Sequence, residues 1–316
     1  MKIKEIIKRK RFRYVGRFAL ASIFILIAFS VKAQDNIATK LGYAADAKLL
    51  IIHADDLGVS HSENMASIEA IENGSVNSAS LMMPAPWVLE VANYAKKNAA
   101  THDFGLHLVL SSEWKNYRWG PVGSIEKVPS LINEFGYFHE GCTPNVNVEE
   151  VEVELKAQID RAYSMGFEPT HLDSHMNCLF QSEELIEVYL KMGKLYKLPV
   201  LATKQDVPEE LLGKYDVQIL LEEVLTILPE EYLKGSEDYY INAIKNLKPG
   251  LSTFLIHTAY NNDEMKGMNI GYTEWGNEWR QKDFDFFTSD TCENILKEEN
   301  IILVTWRQVK DAFYPN

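Results

Sequence analysis

Leu49-Leu50-Ile51-Ile52-His53-Ala54-Asp55-Asp56 passes from a block of aliphatic side chains straight into ionisable ones. Leu49–His53 reads as a buried strand, a short apolar run with a turn signal close behind it. Two further runs share this form: Phe104-Gly105-Leu106-His107-Leu108-Val109-Leu110 and Thr170-His171-Leu172-Asp173-Ser174-His175. Burying a carboxylate or an unpaired imidazole costs several kcal/mol, so a folding chain avoids it unless something pairs with the group. The same anomaly at three strand ends points to one shared partner, and a divalent cation is the simplest.

Outward from that first strand, the pattern alternates. Ser62–Asn73 is an amphipathic helix closed by Gly74, with Ser60 or Ser62 as its cap. Strands are expected at Ser78–Met83, Phe104–Leu110, Thr170–His175, Pro199–Ala202, Val217–Leu221, Thr253–His257 and Ile301–Thr305. Helices are expected at Trp87–Asn98, Val148–Met165, Ser182–Tyr196, near Asp238–Leu247, and through most of Lys282–Asn300. Strands alternating with helices predict parallel βαβ units, hence an α/β fold. No Gly-x-Gly-x-x-Gly follows the first strand, which removes the main cue for an open dinucleotide fold. Functional side chains at the carboxyl ends of several strands favour a (β/α) barrel-like single domain. Its irregularity is expected from the long aromatic segment Ser111–Asn147, which follows the His107 strand.

The 316-residue chain is acidic, with a net charge of −13. Residues 1–33 combine a basic leader, an apolar stretch from Phe18 to Val31, and the small residues Val31 and Ala33 around Lys32. That layout is a secretory signal peptide. The competing reading is an uncleaved membrane anchor, for which the stretch is short against the roughly 20 residues of a span. Export to the periplasm or the extracellular space follows, with residues 34–47 as a linker to a mature domain at 48–316. The leader holds nine Lys/Arg and one Glu, so the rest of the chain carries −21. So acidic a chain repels nucleic acid and anionic membranes. Cys142, Cys178 and Cys292 allow at most one disulfide and have no zinc-site spacing.

In a strand, His171, Asp173 and His175 share one face, as do Asp55 and His53. Asp56 sits where the strand ends and the chain can turn it inward. One carboxylate with two imidazoles suits Zn, Mn, Fe, Co or Ni with open positions for water. All-oxygen sites suit Mg and Ca better, although Mg2+ remains allowed.

Ala54-Asp55-Asp56-Leu57-Gly58, Gly105-Leu106-His107-Leu108 and His171-Leu172-Asp173-Ser174-His175 resemble the signature motifs of the YdjC-like carbohydrate deacetylases, which include chitooligosaccharide deacetylases. Ser75-Val76-Asn77-Ser78-Ala79-Ser80 matches as well, and the resemblance runs from about Leu49 to Trp306. It implies a barrel-like fold and removal of the N-acetyl group from an amino sugar or oligosaccharide. By motif, Asp56, His107 and His175 would hold one divalent metal ion. Asp55 would be the general base toward the attacking water, and His257 would protonate the leaving amine. Arg280 would stand on the substrate side, with His171 and Asp173 supporting the ligands from behind. The chain departs from the family at His53, where Asn is more frequent, and at Thr258, where Pro is. It also has Met176-Asn177-Cys178 where a further His is common.

Two other readings compete. A two-carboxylate glycosidase would leave His107 and His175 unexplained. A secreted sugar-binding protein with a degenerate site would use Trp114 and Trp119 as stacking faces. Those two are also candidates for substrate binding in the enzyme, with Trp275 and Trp279 further candidates for the cleft. A homodimer is compatible with the sequence.

Overall fold

Strand β1 (Lys48–Leu57) is the hub of the computed structural model, which describes residues 36–143 and 145–315. The segment expected as a signal peptide therefore lies outside the described residues. β1 is joined by β2 (Ser78–Leu81), β3 (Phe104–Leu108), β4 (Leu172–Ser174), β5 (Val224–Leu225), β6 (Gly250–Ile256) and β7 (Ile302–Leu303) in one seven-stranded sheet. The order is β4-β3-β2-β1-β6-β5, every pairing is parallel, and β7 pairs with the start of β1. Beyond β4 the ring continues through single pairings, Leu172 with Val200 and Thr203 with Leu221. Glu222 N then donates to Leu251 O of β6. The sheet curls into an irregular, barrel-like α/β domain whose remaining gap is bridged residue by residue.

The helices form where amphipathic runs meet good caps. α1 (His61–Asn73) is capped by Ser60, α2 (Val88–Lys97) follows β2, and α3 (Val148–Ser164) is capped by Asn147. α4 (Glu183–Tyr196) starts at Ser182. The run expected to be largely helical over Lys282–Asn300 is so, as two helices, α5 (Asn277–Phe287) and α6 (Asp290–Glu298). Ser289 breaks it by capping the second with a bond from Cys292 N.

Alternation along β1 separates two cores. Leu50, Ile52 and Ala54 join the large cluster that packs against the helices. Leu49 and Ile51, on the same face as His53 and Asp55, join Ala38, Leu201, Ile219, Leu221, Leu251, Val304 and Trp306. Going up the inner face, the barrel thus changes from an apolar plug to His53 and then to the aspartates. Ala38 corrects one expectation. From Asn36 onward the segment expected as a linker is part of the domain: a short helix, Ile37–Lys40, buries Ala38 in that plug. Among the described residues no helix is long and apolar enough to cross a membrane.

Candidate active site

β1 does not stop at His53. It runs on to Leu57, but its pairing with β2 shifts register between Ala54 and Leu57, and Asp56 takes a left-handed backbone with φ +65°. A bulge puts an extra residue into one strand, so neighbours that would point to opposite faces can share one. Aspartate is among the few L-residues that accept this conformation. Asp55 and Asp56 both enter the cluster for this reason.

β3 supplies His107, in register with Asp173 of β4. His175 lies just past β4, at the start of a tight turn (His175–Phe180) in which Met176 and Asn177 are left-handed. Thr170–His175 is therefore not one strand as expected, and the turn carries His175 over the barrel end. Glycine is required at 105, where a Cβ would lie 2.3 Å from the His171 ring.

Asp56 Oδ1 lies 3.1 Å from His175 Nδ1 and 3.3 Å from His107 Nε2, and the two nitrogens are 3.2 Å apart. All three residues are buried, and Asp56 Oδ1 has no hydrogen-bond donor aligned with it. A buried carboxylate oxygen and two imidazole nitrogens turned toward one point fit a cation of the zinc class. Asp56, His107 and His175 offer ligand atoms all within 4.8 Å of one another.

Electrostatics agrees. Burial opposes the charge on His175, but Glu113 and Asp56 override it and hold the imidazole up at about 9. His107 is driven well above its ordinary value against burial, by Asp173 and Asp55. Asp56 is held well below the carboxylate range, burial being outweighed by Arg280 and His175.

Behind the cluster, Asp173 Oδ2 lies 3.0 Å from His107 Nδ1, and it receives Ser80 Oγ at 2.8 Å and His53 Nε2 at 3.1 Å. His53 Nε2 is also 3.1 Å from Asp55 Oδ1. His171 sits one layer further back, edge-on to His53 and stacked on Trp306 at 5.1 Å. His257, at the end of β6, is the most open group of the site, with its side chain 18 % exposed and Nε2 3.9 Å from Asp56 Oδ2. Burial and then Arg280, against the pull of Asp56, bring its pKa down to about 4. At that value the imidazole is neutral around pH 7.

Arg280 is only 2 % exposed. It donates to Asp56 Oδ2 at 2.8 Å, to Glu63, and from Nε to Trp275 O at 2.7 Å. It braces Asp56 Oδ2 from a buried position between Glu63 and Trp275. Trp114 and Trp119 are both 3 % exposed and pack edge to face, with Trp119 beside His175 and Trp114 under Arg280. Neither offers an open face for a sugar ring.

A profile of the YdjC-like protein family matches residues 49–298. The chain belongs to that family. A Thermus thermophilus protein named carbohydrate deacetylase is 32 % identical over 289 residues, covering 84 % of this chain and 96 % of its own. A carbohydrate deacetylase of Thermoanaerobacter pseudethanolicus is 27 % identical over 266 residues, 83 % of this chain and all of its own. A solved Enterococcus faecalis structure, described as a candidate cellobiose-phosphate cleavage protein, matches with a TM-score of 0.72 at 26 % identity. It covers 83 % of this chain and 99 % of its own.

Four groups of this YdjC-like protein were not singled out as site residues in its sequence. His53 appeared there as part of the first run, on the face of Asp55, and as a departure from Asn, with no role of its own. Glu63 looks like an ordinary acid in a helix first turn, where the dipole welcomes it. Glu113 lies in a loop with no period. Asp283, whose Oδ2 accepts from His257 N at 2.9 Å, looks like one charge among several on α5.

Proposed function

We propose that the protein is an exported, metal-dependent carbohydrate deacetylase that hydrolyses the N-acetyl group of an amino sugar or oligosaccharide. The observation that carries the reading is the convergence of Asp56 Oδ1, His107 Nε2 and His175 Nδ1 on one buried point. Its relatives named carbohydrate deacetylases support the substrate class. Those three residues would hold the ion, zinc or another transition metal, with Mg2+ a weaker match to two imidazoles. When bound, a divalent cation polarises an acyl oxygen and acidifies water.

The chain's own groups handle the protons. Asp55, next to Asp56 on the bulge, accepts the proton from the attacking water, and His53 holds its Oδ1 from 3.1 Å away. An amide nitrogen leaves only once protonated. His257, neutral at rest, takes up a proton from solvent and gives it to the amine, while Asp55 afterwards releases to solvent the proton it took from water. An imidazole with pKa of about 4 parts with its proton readily. Water and amide thus become acetate, amine and one proton, which the amine holds as ammonium at neutral pH.

Two features support export. Residues 1–33 have a signal-peptide layout, and Cys142 is disulfide-bonded to Cys178. Such bonds persist in oxidising compartments.

The test is metal analysis of the purified protein with acetate release from N-acetylated glucosamine oligomers. Wild type is expected to carry metal and release acetate, and Asp56→Ala to lose both. Sugar binding without metal or acetate would overturn the hydrolase in favour of a binding protein. Cleaved glycosidic bonds would favour the glycosidase.

A further inference from the structure

The two imidazoles of the cluster are built alike. A neutral imidazole has one nitrogen that donates and one that accepts. A ring that turns its lone pair toward a cation must carry its proton on the other nitrogen, and that proton needs an acceptor. For His107 the inner atom is Nε2, and Nδ1 lies 3.0 Å from Asp173 Oδ2, within reach of a proton although not aligned as a hydrogen bond. For His175 the inner atom is Nδ1, and Nε2 forms a hydrogen bond of 3.1 Å with Glu113 Oε2.

Glu113 comes from the segment after β3, outside every motif of the sequence, yet the chain holds it firmly. The side chain of Gln158 on α3 clamps Val109, accepting from its N at 3.0 Å and donating to its O at 2.7 Å. Trp119 Nε1 donates to Ser111 O at 2.9 Å, and Ser112 N donates to His139 O at 2.8 Å. The Glu113 side chain is 9 % exposed, with its carboxylate turned inward to His175. The Cys142–Cys178 bond ties the far end of the same segment to the turn that begins at His175.

We infer that Glu113 is a positioning residue of the metal centre: it fixes the tautomer and ring orientation of His175, as Asp173 does for His107. The inference rests on the deacetylase reading for the presence of a metal, and it makes the long segment after β3 part of the centre.

Purified protein stripped by a chelator would be titrated with Zn2+ against a chromophoric competitor, as wild type, Glu113→Ala, Glu113→Gln and Glu140→Gln. Glu140 belongs to the same segment but is 80 % exposed, paired only with Arg118. Removing a carboxylate that orients a metal-binding histidine typically weakens affinity about 10- to 100-fold. That loss is expected for Glu113→Ala, with the stripped variant still folded by circular dichroism at the titration temperature, although without the Glu113–His175 pair it should melt somewhat lower. Glu113→Gln still accepts the Nε2 proton and should lose less, and Glu140→Gln nothing. Wild-type affinity in Glu113→Ala would overturn the inference, as would a loss that accompanies unfolding of the stripped variant at the titration temperature. Wild type that binds no Zn2+ would overturn the function reading itself, a separate outcome.

Discussion

Asp56 has two flanks made from the same kinds of side chain, and they behave in opposite ways. On one, His107 and His175 stand in front of Asp173 and Glu113, and both imidazoles are held above their ordinary pKa. On the other, His257 shares Asp56 with Arg280 and is held down near 4. Both flanks are buried, so burial does not separate them. The difference is a guanidinium: on the first flank carboxylates outnumber cations, and on the second Arg280 already answers Asp56 and Glu63. In the proposed reading, identical residue types thus take a cation-binding role and a proton-carrying role from their neighbours.

Removing His257 tests this division most severely. His257→Ala should lower kcat for acetate release by about 10²- to 10⁴-fold, the usual worth of a general acid–base group. Zn2+ affinity should hold, and a loss of metal would put His257 on the wrong flank. Arg280→Met should come next in size. It leaves Glu63 and one oxygen of Asp56 buried without their cation, which costs about 3–5 kcal/mol, read by urea unfolding. In the fraction still folded, NMR titration should find His257 moved up from about 4, since a cause of its depression is gone. An unmoved His257 would break the comparison.

The smallest effect is on stability against pH without metal. His53 reaches about 9 because Asp173 and Asp55 outweigh its burial, and His175 reaches about 9 as well. A group whose folded pKa is raised stabilises fully below its unfolded value, near 6.5. It loses that contribution as pH climbs through the folded value. The stripped protein should therefore melt lower at pH 9 than at pH 6.5. Saturating Zn2+ should narrow or reverse the difference, because the ion binds the deprotonated imidazole. Equal melting of the stripped protein at both values would refute the raised imidazoles.

Much of the first flank was legible in the sequence. His107 and the His171–His175 run follow apolar strand residues, where an ionisable group is conspicuous, and the parallel βαβ order followed from alternation. Asp56 was legible as a residue, but its bulge was not, since a left-handed aspartate leaves no period. On the second flank His257 and Arg280 were legible only through the family resemblance, and the acids around them were silent. Glu63 and Asp283 face inward from helices whose sequences also suit solvated acids. Trp114 and Trp119 were misleading for a related reason. An aromatic-rich loop looks like a sugar platform, whereas here the rings fill the space behind His175 and Arg280.

The left-handed backbone at Asp56 also shapes how this activity can be lost. Glycine and asparagine tolerate that conformation as well as aspartate does, and other side chains strain it. Both are one nucleotide away from an aspartate codon. The substitutions that best preserve the bulge are therefore the ones that remove the charge. A lineage released from selection would pass most easily through one of these two changes, which keep the bulge and remove the carboxylate, at the cost of leaving buried Arg280 without its Asp56 partner.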